Sequence, residues 1–292
     1  MRFDLDSLRL FAAVVEKGSI AGAAEAVHIV ASAVSRRIAE LECNAGTPLF
    51  ERHSRGVHPT AAGQTLYRHT QRILEQLRRT EGELSEYTNG VRGHVRLSVN
   101  LTAMVHYLPA VLHRFLNANR AIKIDLIEKT SDAVIRMVES GMVDFGICAL
   151  TDRHERLVCV PYRRDRLFVV APRNHRFAGC RSLSFGEVLK EDFVGMQDGS
   201  SIHTLSQRAA ALGGQHLKLR IQVTSFEAVR NMVAAGLGIG LLPEIGLPDG
   251  MADVIKIALD EPWAERSLQI VYRDLEALSV VSKLLIEQLV SS

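Results

Sequence analysis

Cysteine is scarce in this chain. Its 292 residues hold four, Cys43, Cys148, Cys159 and Cys180, with no C-x-x-C pair and no metal-ligand spacing to a histidine. A disulfide framework and a cysteine-based metal site are therefore not expected, and the thiols read as free. Net charge is almost absent: 35 Lys and Arg against 33 Asp and Glu leave +2. Total charge thus says nothing about partners, and any nucleic-acid surface has to be local. No run approaches the roughly 20 apolar residues of a membrane span. The N-terminal MRFDLDSLRL carries acids where a secretory leader needs an apolar stretch. The reading is a cytoplasmic protein without a membrane partner. Catalytic signatures are missing too: there is no HExxH, no P-loop and no GxSxG. The run from Gly236 to Gly240, GLGIG, follows a helical pattern and opens a strand, the reverse of a dinucleotide fingerprint, so it reads as a helix stop. No catalytic residue, metal or cofactor is expected.

What the chain does have is organisation. Its length suggests two or three units of ordinary domain size. Leu5, Leu8, Phe11, Ala12 and Val15 recur at helical spacing until Gly18; Ser19 then caps a short helix whose Ala23 and Ala24 allow close crossing. A third helix is expected over about residues 30–42. Two short helices joined by a tight turn form a helix-turn-helix, here about residues 20–39. Val34, Ile38 and Leu41 share one face of the third helix, while Ser32, Ser35, Arg36 and Ala39 occupy the other. Small residues flanked by an arginine suit a helix that approaches a DNA major groove.

Residues 49–58 read as a two-stranded wing carrying Arg52, His53, Arg55 and His58. Between residues 31 and 72 six arginines face three glutamates, so basic charge is concentrated there. Thr60 caps a long helix, and Leu66, Thr70, Ile73, Leu77, Thr80, Leu84 and Tyr87 alternate by four and three as a heptad seam. So long a helix suggests a partner helix, and hence a homodimer or homotetramer.

Beyond residue 90, strands at Val95, Leu97 and Val99, at Ile122, Ile124 and Leu126, and at residues 143–149 alternate with helices at 108–116 and 132–140. This βαβαβ pattern implies a parallel sheet. A second series has strands near residues 167–171, 193–196, 219–223 and 239–242, with helices at 202–212 and 226–235. A strand at 267–272 and a helix at 275–289 return to the first subdomain. Ligands of such sheets sit beyond the carboxyl ends of the strands. Those ends carry Thr102, Thr130 and Ser131 in one half, and Ser200, Ser201, Thr224 and Ser225 in the other. Thr224 and Glu227 have capping-box spacing. Hydroxyls and helix N-termini from both halves suggest a small, carboxylate-bearing effector, with Lys129 beside it. His203 near that cleft suggests at most a ligand contact.

The segments LRLFAAVVEKGSIAGAAEAVHI, AVSRRIAELE and GTPLFERHSRGVHPTAAG, in this order and spacing, resemble the LysR-type transcriptional regulators, and the resemblance covers the whole chain. It implies an α/β protein with an N-terminal winged helix-turn-helix (1–60), a dimerising linker helix (61–89) and a two-subdomain, periplasmic-binding-protein-like effector domain (90–292). The first subdomain would span about 90–161 and 266–292, the second about 162–265. The DNA-binding residues read here are Ala31, Ser32, Ser35, Arg36, Arg52 and Arg55; of these Ser35, Arg36, Arg52 and Arg55 match the family's pattern, which implies binding to double-stranded promoter DNA and places Thr102 and Ser131 at effector-contacting positions. The chain departs from the pattern at Val30 and Ala31, where the family usually has Ser-Gln. A valine cannot cap, so that bond is missing or supplied by Ser32, and the adenine-reading glutamine is gone. The alternative to a ligand-responsive regulator is a stand-alone small-molecule binding protein of periplasmic type.

Overall fold

In the computed structural model, which describes residues 3–53, 56–89, 93–152, 154–247, 250 and 253–292, the Asp4 carboxylate accepts from Ser7 N–H at 2.8 Å and so starts helix α1, Leu5–Lys17. Gly18 ends it in the left-handed region (φ 63°), which glycine enters without steric cost. Ser19 caps α2, Ile20–Ala26, through Gly22 N–H at 3.0 Å. The turn passes through His28 at φ 56° into α3, Ala31–Ala45, which runs three residues past the expected end and stops at Gly46. Val34, Ile38 and Leu41 are buried against Phe11, Val14, Ala23 and Ala24, so the apolar face assigned from spacing is the core face.

The wing is the antiparallel pair β1, Phe50–His53, and β2, Gly56–Pro59. It is pinned at both ends. The Glu42 carboxylate accepts from Leu49 N–H (2.8 Å) and Phe50 N–H (3.1 Å), and Val57 N–H donates to Gly18 C=O at 2.9 Å. Arg55, the junction near residue 90 and the side chains of Arg52, Leu84 and Tyr87 lie outside the described residues.

Thr60 begins α4, Ala61–Asn89, by accepting from Gly63 N–H at 3.0 Å while donating to Pro48 C=O at 2.8 Å. At 1.5 Å per residue that helix is about 43 Å long. Its first turns are committed to α1: Tyr67 O–H and Gln71 Nε2 both reach the Glu16 carboxylate, at 3.2 and 2.9 Å. Burial and that carboxylate push the Tyr67 phenol up to about 12. Two compact units result, one of residues 1–84 with 140–142 and one of 85–139 with 143–292.

In the second unit β3, Gly93–Val99, leads through a π-helical turn, Ala103–Tyr107, into α5, Leu108–Ala118. Then come β4, Ile122–Glu128, α6, Ser131–Ser140, and β5, Phe145–Ala149. Strand β3 is parallel to both β4 and β5, as the βαβαβ pattern requires. Helix α6 sits close to the sheet at Gly146, where a Cβ would lie 2.4 Å from Val134 Cγ1. Strand β6, Val158–Pro172, is fifteen residues long and joins strands of both subdomains into one sheet. Its first part pairs antiparallel with β12, Glu265–Tyr272; its last part pairs antiparallel with β10, Gly240–Pro243, and β11, Val254–Leu259. The strand expected at residues 167–171 is therefore only the end of this element, and the second subdomain is a mixed, not a purely parallel, arrangement. Its other elements are β7, Ser182–Leu183, α7, Phe185–Val188, the parallel pair β8, Asp192–Met196, and β9, Lys218–Val223, and the helices α8, Ser201–Leu212, and α9, Phe226–Ala234. Helix α10, Val280–Ser291, returns to pack on the first subdomain; it starts later than residue 275 because Ser279 is its cap.

Val30 bears on stability directly. It holds the N-cap position of α3 with no side-chain bond to the helix, and it is 68% exposed. Val30→Ser is expected to stabilise the first unit by about 0.5–1 kcal/mol. A lowered midpoint in denaturant titration would mean that the isopropyl group packs and the helix starts elsewhere.

Candidate DNA-reading helix and effector cleft

On α3 the backbone direction set by Val34, Ile38 and Leu41 leaves Ala31, Ser32 and Arg36 exposed and Ser35 half-buried on the opposite side. Arg36 lies 3.9 Å from Glu40, with 77% and 65% of the two side chains exposed. Such a pair is loose and screened, so the guanidinium is free to reach a more strongly charged partner. In the wing, His53 and His58 are exposed with ring centroids 5.6 Å apart. Together these residues make a small-residue helix face edged by an exposed cation, which suits close approach to a duplex.

The second unit has a cleft between its two subdomains, about 370 Å³ with its mouth included. Thr102, Ser131, Ser200, Ser201 and Thr224 line it together. Ser225 does not: it is the N-cap of α9, accepting from Ala228 N–H at 3.1 Å. The cap thus falls one residue after Thr224, and the capping box expected from Thr224 and Glu227 is not formed. Ser200 caps α8 by accepting from His203 N–H at 3.2 Å. Thr102 and Ser131 are both 2% exposed; the Ser131 hydroxyl has only a long bond from Asn100 Nδ2, at 3.5 Å. These two buried hydroxyls keep hydrogen-bonding capacity for a ligand, as does the exposed Thr224. His203 is buried, its Nε2 2.9 Å from Asp198 Oδ1, and is not among the lining residues.

Spacing along the chain missed several polar cleft residues, Asn100, Glu128, Gln197 and Arg266. Asn100 follows β3 and accepts from Ala103 N–H at 3.0 Å, which holds the π-helical turn in place beside Ser131. Arg266 is the second residue of β12 and lies at the cleft with 2% of its side chain exposed. Its Nε donates to Asp165 Oδ1 at 2.7 Å, its Nη2 to Asp165 Oδ2, and its Nη1 to Ser201 Oγ at 3.1 Å. No local pattern signals this residue, because its partner is 101 residues away. A buried arginine so held keeps two N–H groups uncommitted by these bonds.

Three further interactions span the cleft. Asp132 N–H donates to Gly199 C=O at 3.3 Å. Arg208 of α8 makes a two-point bond to Asp152, at 2.7 and 2.6 Å, which holds that carboxyl below its ordinary range. His106 of the π-helical turn stacks on Phe226 at 6.2 Å between centroids and 9° between planes. Burial lowers the His106 pKa, opposed by Asp165, so the ring favours its neutral form.

A winged helix-turn-helix and a two-lobed ligand cleft on one chain define a ligand-responsive DNA-binding protein. Residues 5–64 match the bacterial regulatory helix-turn-helix proteins of the lysR family, and residues 88–292 match the LysR substrate binding domain. The chain belongs to the LysR family: it is a DNA-binding transcriptional regulator with an effector-binding domain. It is similar to the RuBisCO operon transcriptional regulator of Allochromatium vinosum, 29% identical over 242 residues that cover 83% of this chain and 80% of that one. It is also similar to the HTH-type transcriptional regulator YbhD of Escherichia coli, 26% identical over 280 residues, covering 96% and 88%. In fold it resembles full-length CbnR complexed with target DNA, with a TM-score of 0.69 at 19% identity and coverage of 98% and 99%. A full-length OxyR variant from Pseudomonas aeruginosa gives 0.72 at 20%, covering 100% and 94%. These relatives are regulators, so the stand-alone binding protein is set aside. No helix among the described residues is long and apolar enough to cross a membrane.

Proposed function

We propose that this regulator reads promoter DNA with α3 and the wing, and answers to a compact anion held in the cleft of its second unit. Ala31, Ser32, Ser35 and Arg36 form the groove-facing surface, with Arg52 and Arg55 on neighbouring phosphates. Residues 1–60 act as the DNA-binding domain, 61–89 as a dimerising linker and 90–292 as the effector domain. The chain performs no catalytic step. The observation that carries the effector assignment is the convergence, on one cleft, of the starts of α6, α8 and α9, the π-helical turn and the Arg266 guanidinium. Helix N-termini and a buried arginine favour a carboxylate or similar anion, and Thr102 and Ser131 supply hydroxyls with no strong internal partner. Occupation favours the closed cleft, and its differential affinity for closed over open states is what alters the hold on DNA, by about 1–3 kcal/mol in a typical coupling.

The effector side is tested by thermal-shift screening of small carboxylates on wild type, Thr102→Val and Ser131→Ala. Wild type is expected to be stabilised and both variants clearly less so, with DNA affinity in the absence of effector unchanged. Stabilisation by uncharged or cationic compounds alone, or variants that respond like wild type, would remove the anion cleft. On the DNA side, Arg36→Ala is expected to weaken promoter binding in gel-shift titration by about 1–3 kcal/mol. An unchanged affinity in the folded variant would mean that this face of α3 does not meet the duplex.

A further inference from the structure

We propose that Val30 reads the 5-methyl group of a thymine in the major groove, making the leading end of α3 an apolar base contact. The proposal rests on the assignment of α3 as the DNA-reading helix and names what its first residue recognises.

Val30 is the most exposed large apolar side chain among the described residues of the first unit, at 68%. The position that begins a helix normally carries a capping side chain, and here it carries none. Nothing in the fold offsets that loss, since the isopropyl group is not packed. A residue that breaks the local rule without a structural gain is where function is to be sought.

The geometry suits a probe rather than a floppy side chain. Val30 has extended backbone, φ −75° and ψ 143°, and its carbonyl accepts from Ala33 N–H at 3.0 Å and Val34 N–H at 3.3 Å. Its backbone is thereby fixed to α3, and a β-branched side chain has few rotamers. On the helix side the next residue, Ala31, is exposed and adds only a methyl group; on the other side stands Ile29, 42% exposed.

The chemistry then selects the base. The N-terminal residues of a recognition helix are the ones that meet base edges. In the major groove guanine, cytosine and adenine present hydrogen-bonding atoms, which an isopropyl group would desolvate without replacing. Thymine alone presents a methyl group. The hydrogen-bonding and electrostatic work remains with Ser32, Ser35 and Arg36, further along the same face.

The test selects binding sites from random double-stranded oligonucleotides with the full-length protein. Each thymine of the selected site is then replaced by deoxyuridine, which removes only the methyl group. For wild type, one position per half-site is expected to lose about 3–5-fold in affinity, what burying one methyl supplies. Val30→Ser is expected to bind the thymine and deoxyuridine forms of that position equally. Serine improves the helix cap, so loss of discrimination in this variant does not come from unfolding. Arg36→Ala serves as the parallel control. If wild type is indifferent to every replacement while Arg36→Ala still weakens binding, the methyl contact is wrong and the reading of α3 stands. If Arg36→Ala also binds normally, the assignment of α3 falls with it. If Val30→Ser discriminates as wild type does, the methyl is read by another residue and the proposal is overturned.

Discussion

Arg266→Met is expected to destabilise the effector-binding unit by about 3–5 kcal/mol, the cost of leaving one charge of a buried pair without its partner. Arg266 and Asp165 are 2% and 3% exposed in their side chains and stand opposite each other in the register of β12 and β6. These are the strands that pass between the two subdomains, so the stranded carboxylate would sit at their junction. Water does not easily reach it, and protonating it or opening the junction are the ways out. Replacing both partners, Arg266→Met with Asp165→Leu, is expected to recover most or all of the loss, because two matched apolar side chains avoid the desolvation of two ions. Equilibrium denaturation of the two single variants and the double variant measures this directly. A loss under about 1 kcal/mol in Arg266→Met would show that the pair is hydrated in solution. The double variant also separates two roles of Arg266. If the arginine anchors the effector, that protein is stable yet insensitive to the carboxylates that stabilise wild type. If it responds normally, Arg266 is structural and the anion is held by the hydroxyls and helix N-termini alone.

That pair marks where sequence reading stops. Val34, Ile38 and Leu41 repeat at the helical period, so the core face of α3, and with it the face bearing Ser32, Ser35 and Arg36, followed from spacing. Ser19 and Gly18 announced the ends of α2 and α1 because their effects are local. Thr102, Ser131, Ser200, Ser201 and Thr224 were legible as cleft residues since each follows a strand that could be recognised. The start of β6 was not. Residues 158–166 contain Arg163, Arg164, Asp165 and Arg166, a composition that reads as a connector, and they form a strand only because β12 lies alongside. Arg266 was missed for the same reason, since its meaning comes from a partner far along the chain. The cap of α9 was placed one residue early, at Thr224, and Ser225 was put in the cleft: both residues suit a cap, and the backbone, not the pattern, decides between them.

The linker helix supplies the other large effect. Replacing Ile73 and Leu77 together by aspartate is expected to convert the dimer to a monomer and to cost about 10²–10⁴ in DNA affinity, the gain that holding two half-sites at once provides. The heptad seam read from sequence divides in two on the structure. Leu66 packs on the core of its own unit and Thr70 is buried, so the first turns are already committed. Ile73, one turn further, is 44% exposed, an apolar side chain that its own chain does not cover. With α4 extending to Asn89, several more turns are available beyond it. On the proposal that residues 61–89 dimerise, Ile73 and the half-buried Leu77 are buried by the copy of this helix, and charged residues on that seam would face each other across the interface. The effector-binding unit should keep its own unfolding transition, because neither substitution lies in it. Sedimentation reports the oligomer, and titration of a two-half-site DNA against a single half-site reports the avidity. A variant that sediments as wild type does would move the interface off α4. A monomer that still prefers the two-half-site DNA as strongly as wild type would show instead that avidity does not come from this helix.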